Sequence, residues 1–358
     1  MLRAVVKPFA ALVVAAALIA VVIGALGANP LSVFAALTEG AFGTWYACAD
    51  TLVKSTPLIF TGLAVSLAFS GALWNIGADG QLTVGAIAAG AIGPWLGDFP
   101  HALAVAIILI AGAIGGAVWG GIAGWLRARR DVNEVISTIM LNFVAAQMLS
   151  WVVHGPLMEP SRAYPTSSPI APAAVLPFYF APSRLNLGML LAVMLAVICY
   201  VVLFNTSAGF ELRAMGRNRR AASFFGVRIS ALTVWVMALT GAMAGLGGAV
   251  QVSAISHRLY EKMSPGWGFE AIAVALVARL NPIGIIPAAI FFGALDNGSQ
   301  AMQRTHGISP ELVLVIQGLV IMIILAFDTP AWSGLRQQLF GGADEATTVP
   351  TAAETPDA

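Results

Sequence analysis

Long apolar runs alternate with short polar connections along almost the whole chain. The runs over 9–27, 51–72, 101–126, 134–153, 185–204 and 231–250 are each long enough to cross a bilayer as a helix. A glycine-rich stretch from Leu73, a short run ending at Arg279, a run over 283–295 (or to 301) and one over 311–327 complete the pattern. This predicts an all-α polytopic membrane protein of about ten transmembrane helices, with broken or re-entrant segments among them. The weakly amphipathic stretch 31–50 is expected on the outer surface. The segment 154–184 carries Pro156, Pro160, Pro165, Pro169, Pro172, Pro177 and Pro182, so it reads as a long outer loop and not as a span. Three parts follow: an N-terminal transmembrane helix (1–30), a multi-span membrane domain (31–332) and a small, polar tail (333–358) expected to be disordered. We expect the first helix to be retained, because its apolar run exceeds a signal peptide's; cleavage before Asn29 is the alternative.

Composition agrees with the pattern. The chain is 59% hydrophobic and 10% charged, with mean hydropathy +0.86, whereas soluble domains carry about 25% charged residues. The net charge of +1 gives no reason to expect a nucleic-acid partner. The distribution of charge says more. Twelve basic residues (Arg3, Lys7, Arg127, Arg129, Arg130, Arg213, Arg217, Arg219, Arg220, Arg228, Arg279 and Arg336) fall on one face of the zigzag and six on the other. The positive-inside rule makes the richer face cytoplasmic and places both termini there. The polar loop 205–230 holds five of the twelve. In it Asn218 is placed to cap a short helix, and Gly226 can close that helix in the left-handed region. Such a helix, carrying Phe224 and Phe225, is a surface for another protein.

Two interruptions break the zigzag. The connection 75–81 should be an inner loop by parity but holds no Lys or Arg. Gly77, Gly80 and Gly85 with Asn75 and Asp79 predict a broken helix or re-entrant turn there. Asn281, Pro282 and Gly284 interrupt the second half in a loosely comparable place, as an internally repeated transporter would show. An ionised Asp79 must be solvated, paired or near the surface. Glycines every four residues in the fourth span (Gly112, Gly116, Gly120, Gly124), and Gly241 with Gly245 in the seventh, predict close helix packing.

Catalytic and nucleotide-binding patterns are missing. The four histidines have no ligand spacing, and neither a Gly-x-Ser-x-Gly elbow nor a phosphate-cradling Gly-x-x-x-x-Gly-Lys loop occurs. No cofactor, metal or catalytic role is expected. If the chain pumps, its energy must come from an ion gradient or from a partner. Asn75, Asp79, Gln81, Asn142 and Gln147, polar groups in or beside spans, are the candidate substrate path; the alternative is that they bridge helices.

Three runs carry a resemblance: NIGADGQ from Asn75, EVISTIMLN from Glu134 and AMGRNRRAASFFGV from Ala214. They resemble the permease subunits of ABC importers for simple sugars and branched-chain amino acids. Nearest is the nucleoside branch that works with basic-membrane-protein-type binding lipoproteins. The resemblance implies a multi-pass protein of the bacterial inner membrane that forms the path for a nucleoside or related sugar. Its implied partners are a cytoplasmic ABC ATPase, a second and distinct permease, an extracytoplasmic binding lipoprotein and membrane lipid. Ala214, Gly216, Asn218, Ala221, Ala222, Phe224 and Gly226 match the family's ATPase-coupling loop. After Asn218 the family often has Pro and Glu, where this chain has Arg219 and Arg220. The alternatives are a stand-alone ion-coupled carrier and an ABC permease for a pentose or a branched-chain amino acid.

Overall fold

The fold comes from a computed structural model, which describes residues 29–179 and 183–307 and isolated positions within 17–24 and 312–323. The first apolar run, the run 311–327 and the tail from 333 lie outside the described residues, apart from those isolated positions. Helices α1 (Pro30–Phe42), α2 (Trp45–Ser70), α3 (Ala78–Ile92), α4 (His101–Arg130) and α5 (Glu134–His154) make up the first half. The second half holds α6 (Leu187–Asn205), α7 (Ser207–Arg217), α8 (Arg219–Phe224), α9 (Ile229–Gln251), α10 (Trp267–Val277) and α11 (Pro282–His306). A π-turn (Val252–Ser256) prolongs α9. Five of these helices are long and apolar enough to cross a membrane: α2, α4, α5, α6 and α9 with its π-turn. Among the described residues no strand forms, and three isolated bridges stitch the proline-rich segment to itself, to Asn186 and to Tyr260.

Local signals explain most boundaries. Asn29, Thr44, Asn133, Asn186, Thr206, Asn218 and Asn281 each cap a helix, their side-chain oxygens accepting an N–H from its first turn. The stretch 31–50 is not one surface segment. Gly43 and Thr44 split it, α2 begins at Trp45, and α1 buries Val33, Ala36, Leu37 and Ala41. Thr51 and Asn297 bind the parts together: Thr51 donates to Ala41 O (2.9 Å), and the Asn297 amide faces Gly40 O (3.1 Å) and Ala47 O (3.0 Å). Lys54 pairs with Asp296 at 3.0 Å, tying α2 to α11.

The glycine stripes meet. An added Cβ on Gly116 would collide with Gly241 O, one on Gly245 with Gly112 O, and one on Gly85 with the Gly245 backbone. Thus α3, α4 and α9 touch backbone to backbone, which only residues without a Cβ allow. At one end of the bundle α4 finishes in Arg127, Arg129 and Arg130. Arg127 holds the turn into α5 by ion pairs to Asp131 (2.7 Å) and Glu134 (3.0 Å). α7 and α8 lie at this end too, since Gly216 abuts Ser70 O at the close of α2. The opposite end carries the proline-rich segment and the connection 257–266.

Candidate functional site

Two features stand out: a break deep in the bundle and the hairpin of α7 and α8. After α2 ends, residues 71–77 fold back as non-helical backbone before α3 starts at Ala78. Such backbone at depth must find partners within the protein, and here it does. Asn75 and Gln81 exchange paired amide bonds at 3.1 Å, and the Asn75 amide also donates to Thr240 of α9 at 3.1 Å. Asn142 of α5 accepts from Gly80 N (2.8 Å) and donates to Ile76 O (2.9 Å). Thr138 accepts from Ile76 N at 3.3 Å. Asn75, Gln81 and Asn142 are buried, and their polar groups are occupied in holding the break.

Asp79, in the first turn of α3, is placed differently. Its carboxylate accepts from Ser264 Oγ (2.6 Å) and from Gly268 N (3.1 Å). Ser264 in turn accepts from Gly266 N (3.2 Å) and Trp267 N (3.3 Å), so it caps the start of α10. A Cβ on Gly268 would collide with the Asp79 backbone. The N-termini of α3 and α10 therefore abut. From this junction α3 climbs to the end where Gly93 meets Ile170, while α10 descends to the end where Leu280 O accepts from Ser66 Oγ. Two half-helices meet head to head with their positive ends together, and Asp79 supplies the negative charge between them.

Asp79 and Gln147 also line an open pocket of about 270 Å³ with Thr83, Ser150, Glu261 and Lys262. Gln147 is exposed. Of the five candidate path residues, three hold the break and these two face space. The sequence did not point to Thr138, Thr240, Ser264 or Gly268, since nothing local in it marks a residue that completes a distant helix end. The interruption read at Asn281 and Pro282 is present: α10 stops at Val277, Arg279 and Leu280 adopt positive φ, and Asn281 and Pro282 start α11 as its cap and first residue. The connection 257–266 precedes α10 as residues 71–77 precede α3.

Asp79→Ala removes the acceptor for both donors. We expect faster hydrogen exchange over 257–268 and a loss of about 1.5–3 kcal/mol, as for hydrogen bonds to a charged group. Wild-type exchange in that segment would refute the junction.

The hairpin is built by capping. Asn218 closes α7, and its Oδ1 accepts Ala221 N at 3.0 Å to start α8. Gly226, at φ +90°, turns the chain out of α8. Ala222 is buried and Ala214 packs on the core, while Gly216 lets α7 lie directly on the end of α2. Ala221 faces outward. Phe224 and Phe225 stand 89% and 84% exposed, edge to face at 5.9 Å. Among the described residues no carboxylate pairs with Arg217, Arg219, Arg220 or Arg228, whereas Arg213 stacks over Phe204. The hairpin thus presents an apolar tip beside unpaired positive charge.

The family model described as "Branched-chain amino acid transport system / permease component" matches residues 47–325. The chain belongs to that family. The permease is 33% identical to a guanosine ABC transporter permease protein of Bacillus subtilis, covering 88% of this chain and 92% of the relative. It is 32% identical to a nucleoside ABC transporter permease protein of Lactococcus lactis subsp. cremoris (90% and 91% covered). It is 33% identical to a glucose ABC transporter permease protein of Haloferax volcanii (84% and 82%). No solved structure matches. The permease is an integral membrane protein, in agreement with its apolar helices.

Proposed function

We propose that this permease is one of two distinct subunits that together form the path of an ATP-driven importer for a nucleoside. The observation that carries this reading is the α7–α8 hairpin: a capped, aromatic-tipped element at the arginine-rich end of a chain with no nucleotide-binding motif. Force must enter from a partner, and this element is shaped to receive it. We place the hairpin in the cytoplasm by the positive-inside rule, with both termini on that side and about ten spans in all. A cytoplasmic ATPase would hold Gly216 to Gly226, and a binding lipoprotein would deliver cargo at the proline-rich end. Closure of the ATPases would tilt the two bundles as rigid bodies.

The two nucleoside-transporting relatives support that cargo, and the glucose-transporting one points to the same chemistry, a ring bearing hydroxyls. Gln147 supplies an amide donor and acceptor suited to such a ring at the open pocket, and Asp79, Thr83 and Ser150 supply oxygen acceptors, both hydroxyls being already donated to Asp79 O and Glu261. Uptake of radiolabelled guanosine by cells expressing the whole system tests the assignment. Excess unlabelled nucleosides should suppress it, and pentoses and branched-chain amino acids should not. Absence of competition by every nucleoside would reject the cargo but leave the coupling reading standing.

A further inference from the structure

A second open feature lies apart from the break. At the arginine-rich end, a groove of about 960 Å³ runs between the end of α4 and the segment that joins α8 to α9. Its lining includes Trp125 and Arg129 from α4, Ser223 from α8, and Arg228, Ile229 and Val234 from the start of α9. Neither guanidinium meets a carboxylate among the described residues, although Arg127 nearby is paired twice. α9 starts without a side-chain cap, and no acceptor meets the amides of Ser230 and Ala231 among the described residues. The groove therefore gathers uncompensated positive charge, which calls for an anion.

The walls say which kind. Ile114, Val118 and Trp125, exposed by 58%, 60% and 48%, form a stripe along α4 that leads away from the groove into the apolar part of the bundle. Trp235 and Leu239, exposed by 74% and 49%, do the same along α9. Between the stripes the two helices touch at Gly121 and Ala238, leaving a shallow crease. An ion or an acidic peptide would fill only the charged mouth. A diacyl lipid would fill both parts, with its phosphate between Arg129 and Arg228 and an acyl chain in the crease. Trp125 at the mouth marks the depth at which headgroups lie, and basic pockets between spanning helices suit anionic headgroups.

We propose that this groove binds an anionic phospholipid, and that the bound lipid braces the start of α9 against α8, the helix that would receive force. Lipid binding rests on the membrane location of the chain and not on its cargo; only the bracing of α8 rests on the coupling reading, whose loop lends Ser223 and Gly226 to the groove. Purified full-length permease in detergent provides the test. Dioleoylphosphatidylglycerol should raise its unfolding midpoint by about 3 °C or more over dioleoylphosphatidylcholine, and inorganic phosphate at equal concentration should give no rise. The Arg129→Gln/Arg228→Gln pair should lose the phosphatidylglycerol increment, and native mass spectrometry should show the lipid retained on the wild type alone. Should the pair fail to fold, Trp125→Ala, which keeps both charges, should reduce the increment by itself. A rise with phosphate alone would mean a free-anion site and would overturn the lipid assignment. So would equal rises with both lipids, or protection of the groove only when the ATPase subunit is added.

Discussion

Phe224→Asp is expected to abolish uptake while the permease still folds and inserts. The side chain is 89% exposed, so nothing in this chain's own core is lost with it. α8 keeps its Asn218 cap and its buried Ala222, which hold it in place without the phenyl ring. If the tip is the contact for an ATPase, an aromatic anchor is replaced by a charge that must be desolvated on docking. Anchors of this kind account for about 2–4 kcal/mol each, roughly a 30- to 1,000-fold loss of affinity at 1.4 kcal/mol per decade. Uptake by cells and co-purification of the ATPase should fall together, at unchanged membrane levels of the permease. Retained uptake would sink the coupling reading. Asn218→Ala should act more weakly, since it removes one cap worth about 1 kcal/mol and leaves the ring. Gly216 makes a poor probe of docking, because any side chain there strikes Ser70 O and displaces α7 from α2.

Of the hairpin, α8 was legible from sequence because its cap and its closing glycine are local, whereas α7 and its seat on α2 through Gly216 were not read. A capping Asn, six helical residues and a glycine at positive φ lie within nine positions of one another, and each acts on its immediate neighbours. A break near 75–81 was legible for a related reason, since clustered glycine and polar residues weaken a spanning helix wherever it packs, but the non-helical residues are 71–77, and Asp79 to Gln81 already lie in α3. What fills the break was not legible. Thr240 lies 165 positions from Asn75, and Ser264 lies 185 from Asp79; only the folded bundle brings them together. In the second half the interruption at Asn281 and Pro282 was legible, since α10 stops at Val277 and Pro282 starts α11, where its missing N–H costs nothing. The connection that opens α10 was not, since it needs no proline, only Gly266 at φ +112° and a serine able to cap α10.

Gly116→Ala is expected to cost the permease about 3 kcal/mol or more, and Gly121→Ala, five residues along the same helix, almost nothing. At Gly116 the new methyl would collide with Gly241 O and lie 2.7 Å from Gly245 Cα. Both obstacles are backbone, so no change of rotamer relieves them, and α4 and α9 must move apart. Because an added Cβ on Gly85 meets the same Gly245 backbone, parting these helices also disturbs α3 and with it the Asn75–Gln81 pair. Overpacking costs about 1–3 kcal/mol and occasionally more, and a backbone clash shared by three helices puts the loss at the upper end, a large share of a marginal fold's stability of about 5–15 kcal/mol. At Gly121 the nearest atom is Ala238 Cβ at 3.6 Å, an ordinary contact. There alanine should be neutral or stabilising by up to about 1 kcal/mol through its better helix propensity. Detergent-extracted yield and unfolding midpoint measure both variants. A Gly116→Ala protein as stable as Gly121→Ala would mean that these helices do not approach so closely. The stripe, the break and the head-to-head half-helices depend on that approach together, because α3 reaches the Asp79 junction only along the path that Gly85, Gly116 and Gly245 leave open.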